Sequence, residues 1–104
     1  MTPKFDLRFV ENIIFDQEIR FIIGYGKTKF IIYNIKKSES KIYQIDKLKY
    51  EQIYDMGFNS SSDEDFKCVI ACKRKGVNQI AVFDFFESQK QVRFDDDPSL
   101  ELKP

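Results

Sequence analysis

The chain has 104 residues, with 17 basic and 17 acidic side chains and neither histidine nor tryptophan. That length fits one domain, and the zero net charge excludes a generic attraction to nucleic acid or to an anionic membrane surface. Hydrophobic residues make up 42% of the chain, with eleven Phe and five Tyr among them, which is enough for a modest core.

The opening segment, MTPKFDLRF, lacks the apolar centre of a signal peptide, and no run approaches the roughly 20 apolar residues that span a bilayer. The expectation is an intracellular protein, cytoplasmic or cytoskeletal, with no membrane span. Residues 7–15, LRFVENIIF, are rich in β-branched and aromatic side chains and read as a first strand. Asp16, Gln17 and Glu18 mark a turn, and residues 19–26 read as a second strand. Lys27-Thr28 is a tight connection into a third strand at 29–35; the polar loop KKSES follows, then a short strand at 41–45.

The stretch 46–56 is ambiguous. Asp46 could cap a helix and Gly57 could end it, but the apolar residues fit helical spacing only in part. We read 46–51 as a loop with at most one helical turn and 52–58 as a strand. Residues 59–65, NSSSDED, form a polar loop. Strands follow at 66–72, 79–86 and 91–94, and 95–104 reads as an acidic flexible tail.

The two halves repeat each other. Strand, turn, strand, turn, strand runs through residues 20–45 and again through 66–94, in step from Lys29 and Gln79 onward. The expected architecture is all-β: one domain, residues 1–94, of two four-stranded antiparallel units at 7–45 and 52–94. The second and third strands of each unit are apolar on both sides, which implies two buried faces. A face-to-face β-sandwich, or an α+β fold with a short helix near 46–56, is the alternative.

Several small signals are weak. Cys68 and Cys72, four apart on one strand, would have Cα atoms roughly 13 Å apart. That is too far for a disulfide with each other, and they read as core residues. Gly26-Lys27-Thr28 echoes the end of a phosphate-binding loop, but a strand follows it where a helix is required, so it reads as a hairpin turn. Lysines interleaved with Tyr25, Phe30, Tyr33 and Tyr43 could hold single-stranded nucleic acid on a sheet, without the glycine-aromatic pattern of the common modules. Ser60 to Ser62 precede Asp63, Glu64 and Asp65, as in an acid-directed kinase target. No histidine and no nucleophile in a recognisable elbow point to catalysis, and no cofactor or metal is implied.

The third strands end in Ile32-Tyr33-Asn34-Ile35 and Val82-Phe83-Asp84-Phe85, and the small residues Gly24 and Ala71 sit in the second strands. In these features the chain resembles blades of a divergent WD-repeat-like β-propeller, with Tyr33-Asn34 and Phe83-Asp84 in place of the family's Trp-Asp pair and no Gly-His pair. The resemblance implies a scaffold. Two blades cannot close a ring, and they leave apolar sheet faces uncovered. The expectation is a non-enzymatic interaction or assembly subunit that docks on a protein partner or on itself, or else a fragment of a longer polypeptide. The expected partner-binding residues are Phe30, Ile32, Ile80, Val82 and Phe85 on the sheet faces and Lys36, Lys37, Glu64 and Asp65 in the loops. A small β or α+β domain that binds nucleic acid or inhibits a host protein is the alternative.

Overall fold

The computed structural model describes residues 7–60 and 65–104. Among these residues strands are the dominant regular structure, and they form two antiparallel sheets that do not close into a barrel. The first sheet is a four-stranded meander, β1 (Asn12–Phe15), β2 (Phe21–Tyr25), β3 (Lys29–Asn34) and β4 (Glu39–Gln44), each strand paired with the next. The second continues as β5 (Tyr50–Ser60), β6 (Asp65–Arg74), β7 (Val77–Phe86), β8 (Gln91–Phe94) and β9 (Glu101–Leu102).

Local chemistry sets the turns. Lys75 and Gly76, both at positive φ, make the two-residue connection of β6 to β7 that matches strand twist. In the β3–β4 loop the Asn34 side-chain oxygen accepts the Lys37 N–H at 3.1 Å, a local turn that the short amide favours. A single 3-10 turn (Ile45–Leu48) ends at Lys49 in the left-handed region. No long helix forms at 46–56, and β5 runs eleven residues from Tyr50. Its early part carries two register shifts against β6, which bend the strand.

Three expectations need correcting. Residues 7–10 turn back instead of extending β1, closed by the Val10 N–H to the Leu7 carbonyl at 3.0 Å. Residues 95–104 are not a solvated tail throughout. Asp97 caps a turn, with the Leu100 N–H on its carbonyl at 2.9 Å, and the chain returns as β9 beside β8. Leu102, hidden in an acidic context, is 3% exposed and belongs to the core, so the second sheet has five strands and not four.

The sheets lie face to face over one aromatic core. The inner face of the first is Phe21, Ile23, Tyr25, Phe30, Ile32 and Tyr43; that of the second includes Phe66, Cys68, Ile70, Phe83, Phe85 and Phe94. Phe21 meets Phe66 with ring centroids 4.9 Å apart, and Phe30 stacks on Phe83 at 5.6 Å. Cys68 and Cys72 are both free and buried here, and burial pushes both thiols above their ordinary range.

The contacts also fix how one sheet sits on the other. β1 packs on β5, and Asp16, just past the end of β1, accepts a hydrogen bond from Ser60 at the end of β5. β2 lies on β6 through Phe21 and Phe66, each near the start of its strand. β3 lies on β7 through Phe30 and Phe83. The Tyr43 hydroxyl of β4 donates to the carbonyl of Lys90, one residue before β8, at 3.2 Å. Strand order and strand direction are thus the same in both sheets. A two-fold axis between facing sheets would reverse one or the other, so the sheets are related by a shift.

The link between them agrees. After β4 the chain crosses the β2–β3 hairpin to reach the far edge. On the way the Ile45 N–H donates to the Thr28 carbonyl at 2.9 Å and the Ile53 N–H to the Lys27 carbonyl at 2.6 Å. Gly26-Lys27-Thr28 is therefore a hairpin turn used as a support for the crossover.

Candidate interaction surface

In a strand, alternate side chains point to opposite faces, so the residues between the core positions form the outer faces. On the first sheet the pairing puts Ile13, Gly24, Ile31 and Ile42 in one outward row. The next row is Phe15, Ile22, Tyr33 and Ser40. Apart from Ser40 and the glycine every one is apolar or aromatic. Ile13 is 65% exposed and Phe15 62%, whereas Ile31 at the centre is nearly buried by its neighbours. No charged side chain interrupts these two rows.

One end of this face is partly covered by the chain itself. A Cβ on Gly24 would lie 3.2 Å from methyl groups of both Ile31 and Val10, so Val10 rests on the glycine. A Cβ on Gly26 would be 2.0 Å from the Phe9 carbonyl oxygen, which only glycine permits. The segment 7–10 thereby closes over the hairpin end and leaves the end near Phe15 open.

The outer face of the second sheet differs. Its centre is apolar, with Val69 opposite Val82 and Ala71 opposite Ile80. Beside it runs a charged row in which Lys67 pairs with Asp84 and Asp84 with Arg93. Lys67 reaches Asp84 at 3.0 Å and Asp95 at 2.5 Å. Burial, followed by the hydrogen bond to Asp95, raises the Asp84 carboxyl; the same bond and Lys67 lower that of Asp95. Tyr54 lies across the other end, its hydroxyl donating to Asn78 at 3.0 Å.

The residues expected to bind a partner fall into three groups. Phe30, Ile32 and Phe85 are almost completely buried between the sheets and are not offered to a partner. Each is apolar on a doubly apolar strand, and only the position of the other sheet decides which of its two faces is inside. Ile80 and Val82 do stand on an outer face, Ile80 at 72% exposure. Lys36 and Lys37 are exposed in the β3–β4 loop, Asp65 is exposed at the start of β6, and Glu64 lies outside the described residues.

The structure brings Lys37 and Asp65 to one residue, Glu87, Lys37 to its buried carboxylate and Asp65 to its backbone N–H. Glu87 is 2% exposed; Lys37 stands 3.6 Å from it, Lys90 bonds to it directly, and its own N–H donates to Asp65 at 3.3 Å. Lys90 also holds Glu39 at 3.0 Å. Burial alone would pull the Lys90 ammonium down, but Glu87 and Glu39 outweigh it and raise it. This cluster ties the loops of the two sheets together, so its charges are structural.

Tyr25, Phe30 and Tyr43, read as possible base-stacking residues, also lie in the core. Among the described residues no group of three His, Cys, Asp or Glu could hold a metal ion, and no helix is long and apolar enough to cross a membrane. Sequence reasoning missed Ile13, Phe15, Ile22, Ile31, Tyr33 and Ile42 as a surface, although the doubly apolar β2 and β3 contained the signal. No family model, curated protein or solved structure matches the chain.

Proposed function

We propose that this chain is a non-enzymatic interaction or assembly subunit, built as two consecutive blades of a divergent WD-repeat-like propeller. It docks through the outer face of its first sheet. The observation that carries the reading is the pair of uncharged apolar rows, Ile13–Ile42 and Phe15–Tyr33, open at the end near Phe15. Contiguous apolar surface of this kind marks a site for another macromolecule, because water solvates it poorly. The blade reading is supported by the stacking, since successive propeller blades also keep strand order and direction. It is supported too by the buried ties at Asp16 and Glu87, which make the two sheets one rigid platform.

The test uses a variant that changes the face and spares the fold. Ile13→Lys with Phe15→Lys places two charges at positions more than half exposed. As immobilised bait in extract of the native source, the unchanged chain is expected to retain a protein, a second copy included, that the double variant does not. Identical retention by both baits overturns the reading.

A further inference from the structure

We infer that the occupant of the first sheet's outer face is a second copy of this chain, presenting the outer face of its second sheet. The contact is head-to-tail and repeats from copy to copy. This rests on the docking reading above and adds the identity of the partner.

A shift, and not a two-fold axis, relates the two sheets. Residues 29 onward and 79 onward are repeat equivalents, 50 positions apart. Phe30 and Ile32 face inward from the first sheet, yet their equivalents Ile80 and Val82 face outward from the second. Conversely Ala81 and Phe83 face inward, yet their equivalents Ile31 and Tyr33 face outward. The side chains therefore keep one direction through the stack.

It follows that the two outer faces stand in the same relation as the two inner ones. The second sheet's outer face corresponds to the first sheet's inner face, and the first sheet's outer face to the second sheet's inner face. Repeating the same shift lays one copy's Ile80 on the next copy's Tyr33, toward the end of that face which residues 7–10 leave open. The stacked pair Phe30–Phe83 inside the chain then has an intermolecular counterpart, Ile80 of one copy over Tyr33 of the next. The charged row of Lys67, Asp84 and Arg93 lies beside this apolar centre, as polar rims lie beside interface cores.

Area favours the same arrangement. Four strands about 4.8 Å apart, about 20 Å long, give each face roughly 400 Å2 in projection. One such contact removes roughly 800 Å2 in total, no more than crystal packing achieves. A two-fold dimer through the first sheet alone makes that contact once. In a head-to-tail array each copy is held twice, and a ring closes when the rotation per step allows.

A mixing experiment decides it. Ile80→Lys blocks only the second sheet's outer face, and Ile13→Lys/Phe15→Lys only the first's; all three positions are mostly exposed. Sedimentation velocity is run on the unchanged chain, on each variant, and on their mixture, with circular dichroism to confirm the strand signal. The expected result is an unchanged chain larger than its 12.4 kDa mass, each variant at that mass alone, and a one-to-one pair in the mixture that grows no further. Each blocked face is expected to weaken association at least about tenfold, as burying an unpaired charge requires. If Ile80→Lys assembles like the unchanged chain, the head-to-tail contact is wrong while the first sheet's face still docks. If the unchanged chain is a monomer throughout, self-association is wrong, and the bait experiment alone then decides the docking reading.

Discussion

The two sheets treat their outer faces in opposite ways. In the second sheet β6 alternates exposed and buried over most of its length, and charged residues share the outward rows with valine and isoleucine. In the first, β2 and β3 carry apolar side chains toward both faces, and only β4 and the strand ends are polar. Clean alternation belongs to a sheet with one wet face, and continuous apolar sequence to a sheet covered on both. The comparison teaches that core and surface here are not separated by strand or by residue type. Ile31 and Ile32 are neighbours, equally apolar, and point to different destinations.

The strongest way to break that comparison is to truncate one aromatic from each destination. Phe83 is fully buried and packs on Phe30 and Phe94, so Phe83→Ala is expected to cost about 3–5 kcal/mol in urea unfolding. Phe15→Ala in the dilute, unassociated chain is expected to cost within about 0.5 kcal/mol, as surface changes do. Comparable losses at the two positions would mean that Phe15 is already covered by its own chain.

Much of this contrast was legible in the sequence, and the part that was not has physical reasons. The repeat, eight of the nine strands, the single helical turn near 46 and the free buried cysteines follow from period, turn residues and spacing. The side facing the other sheet does not, because period two says which residues share a face and not what lies opposite. Hence Phe30, Ile32 and Phe85 read as open and Ile31 and Tyr33 went unnoticed. Strand β9 escaped because Leu100 and Leu102 stand among aspartates and a proline, where composition speaks for solvent. Gly24 and Ala71, both small, stand one place apart in the repeat. Ala71 pairs with Ile80, the equivalent of Phe30, and Phe30 pairs with Tyr25, which shifts the second strands because their hairpins differ in length.

A smaller effect sharpens the limits of the apolar face. Gly26→Ala drives a Cβ into the Phe9 carbonyl and is expected to cost about 1–3 kcal/mol as residues 7–10 are displaced. Gly57, on the outer face of the second sheet, has nothing within 4 Å of the same added atom. Gly57→Ala is expected to be neutral or to stabilise by up to about 1 kcal/mol, through the unfolded chain. A costless Gly26→Ala would show that residues 7–10 do not rest on the hairpin, and the open face would then be wider than described.

The smallest effect tests whether the space between the sheets is dry. Tyr25 and Tyr43 both point inward from the first sheet. Burial raises the Tyr25 hydroxyl above its ordinary 10, helped by the bond it donates to Asp55 at 2.9 Å. Burial raises Tyr43 further, with the charge of Glu87 acting in the same direction. A folded-state value above the unfolded one means that the unfolded chain loses the proton first. The contribution is therefore complete below about pH 10 and is lost as pH rises through the folded values, at up to about 1.4 kcal/mol per pH unit for each tyrosine. Urea midpoints taken from pH 9 to pH 11 are expected to fall, and to fall less steeply in Tyr43→Phe. Ionisation of Tyr25 and Tyr43 in the still-folded chain near pH 10, seen in phenolate absorbance against their Phe variants, would place water between the sheets. The outer face of the first sheet would then have no claim to be the more exposed of its two sides.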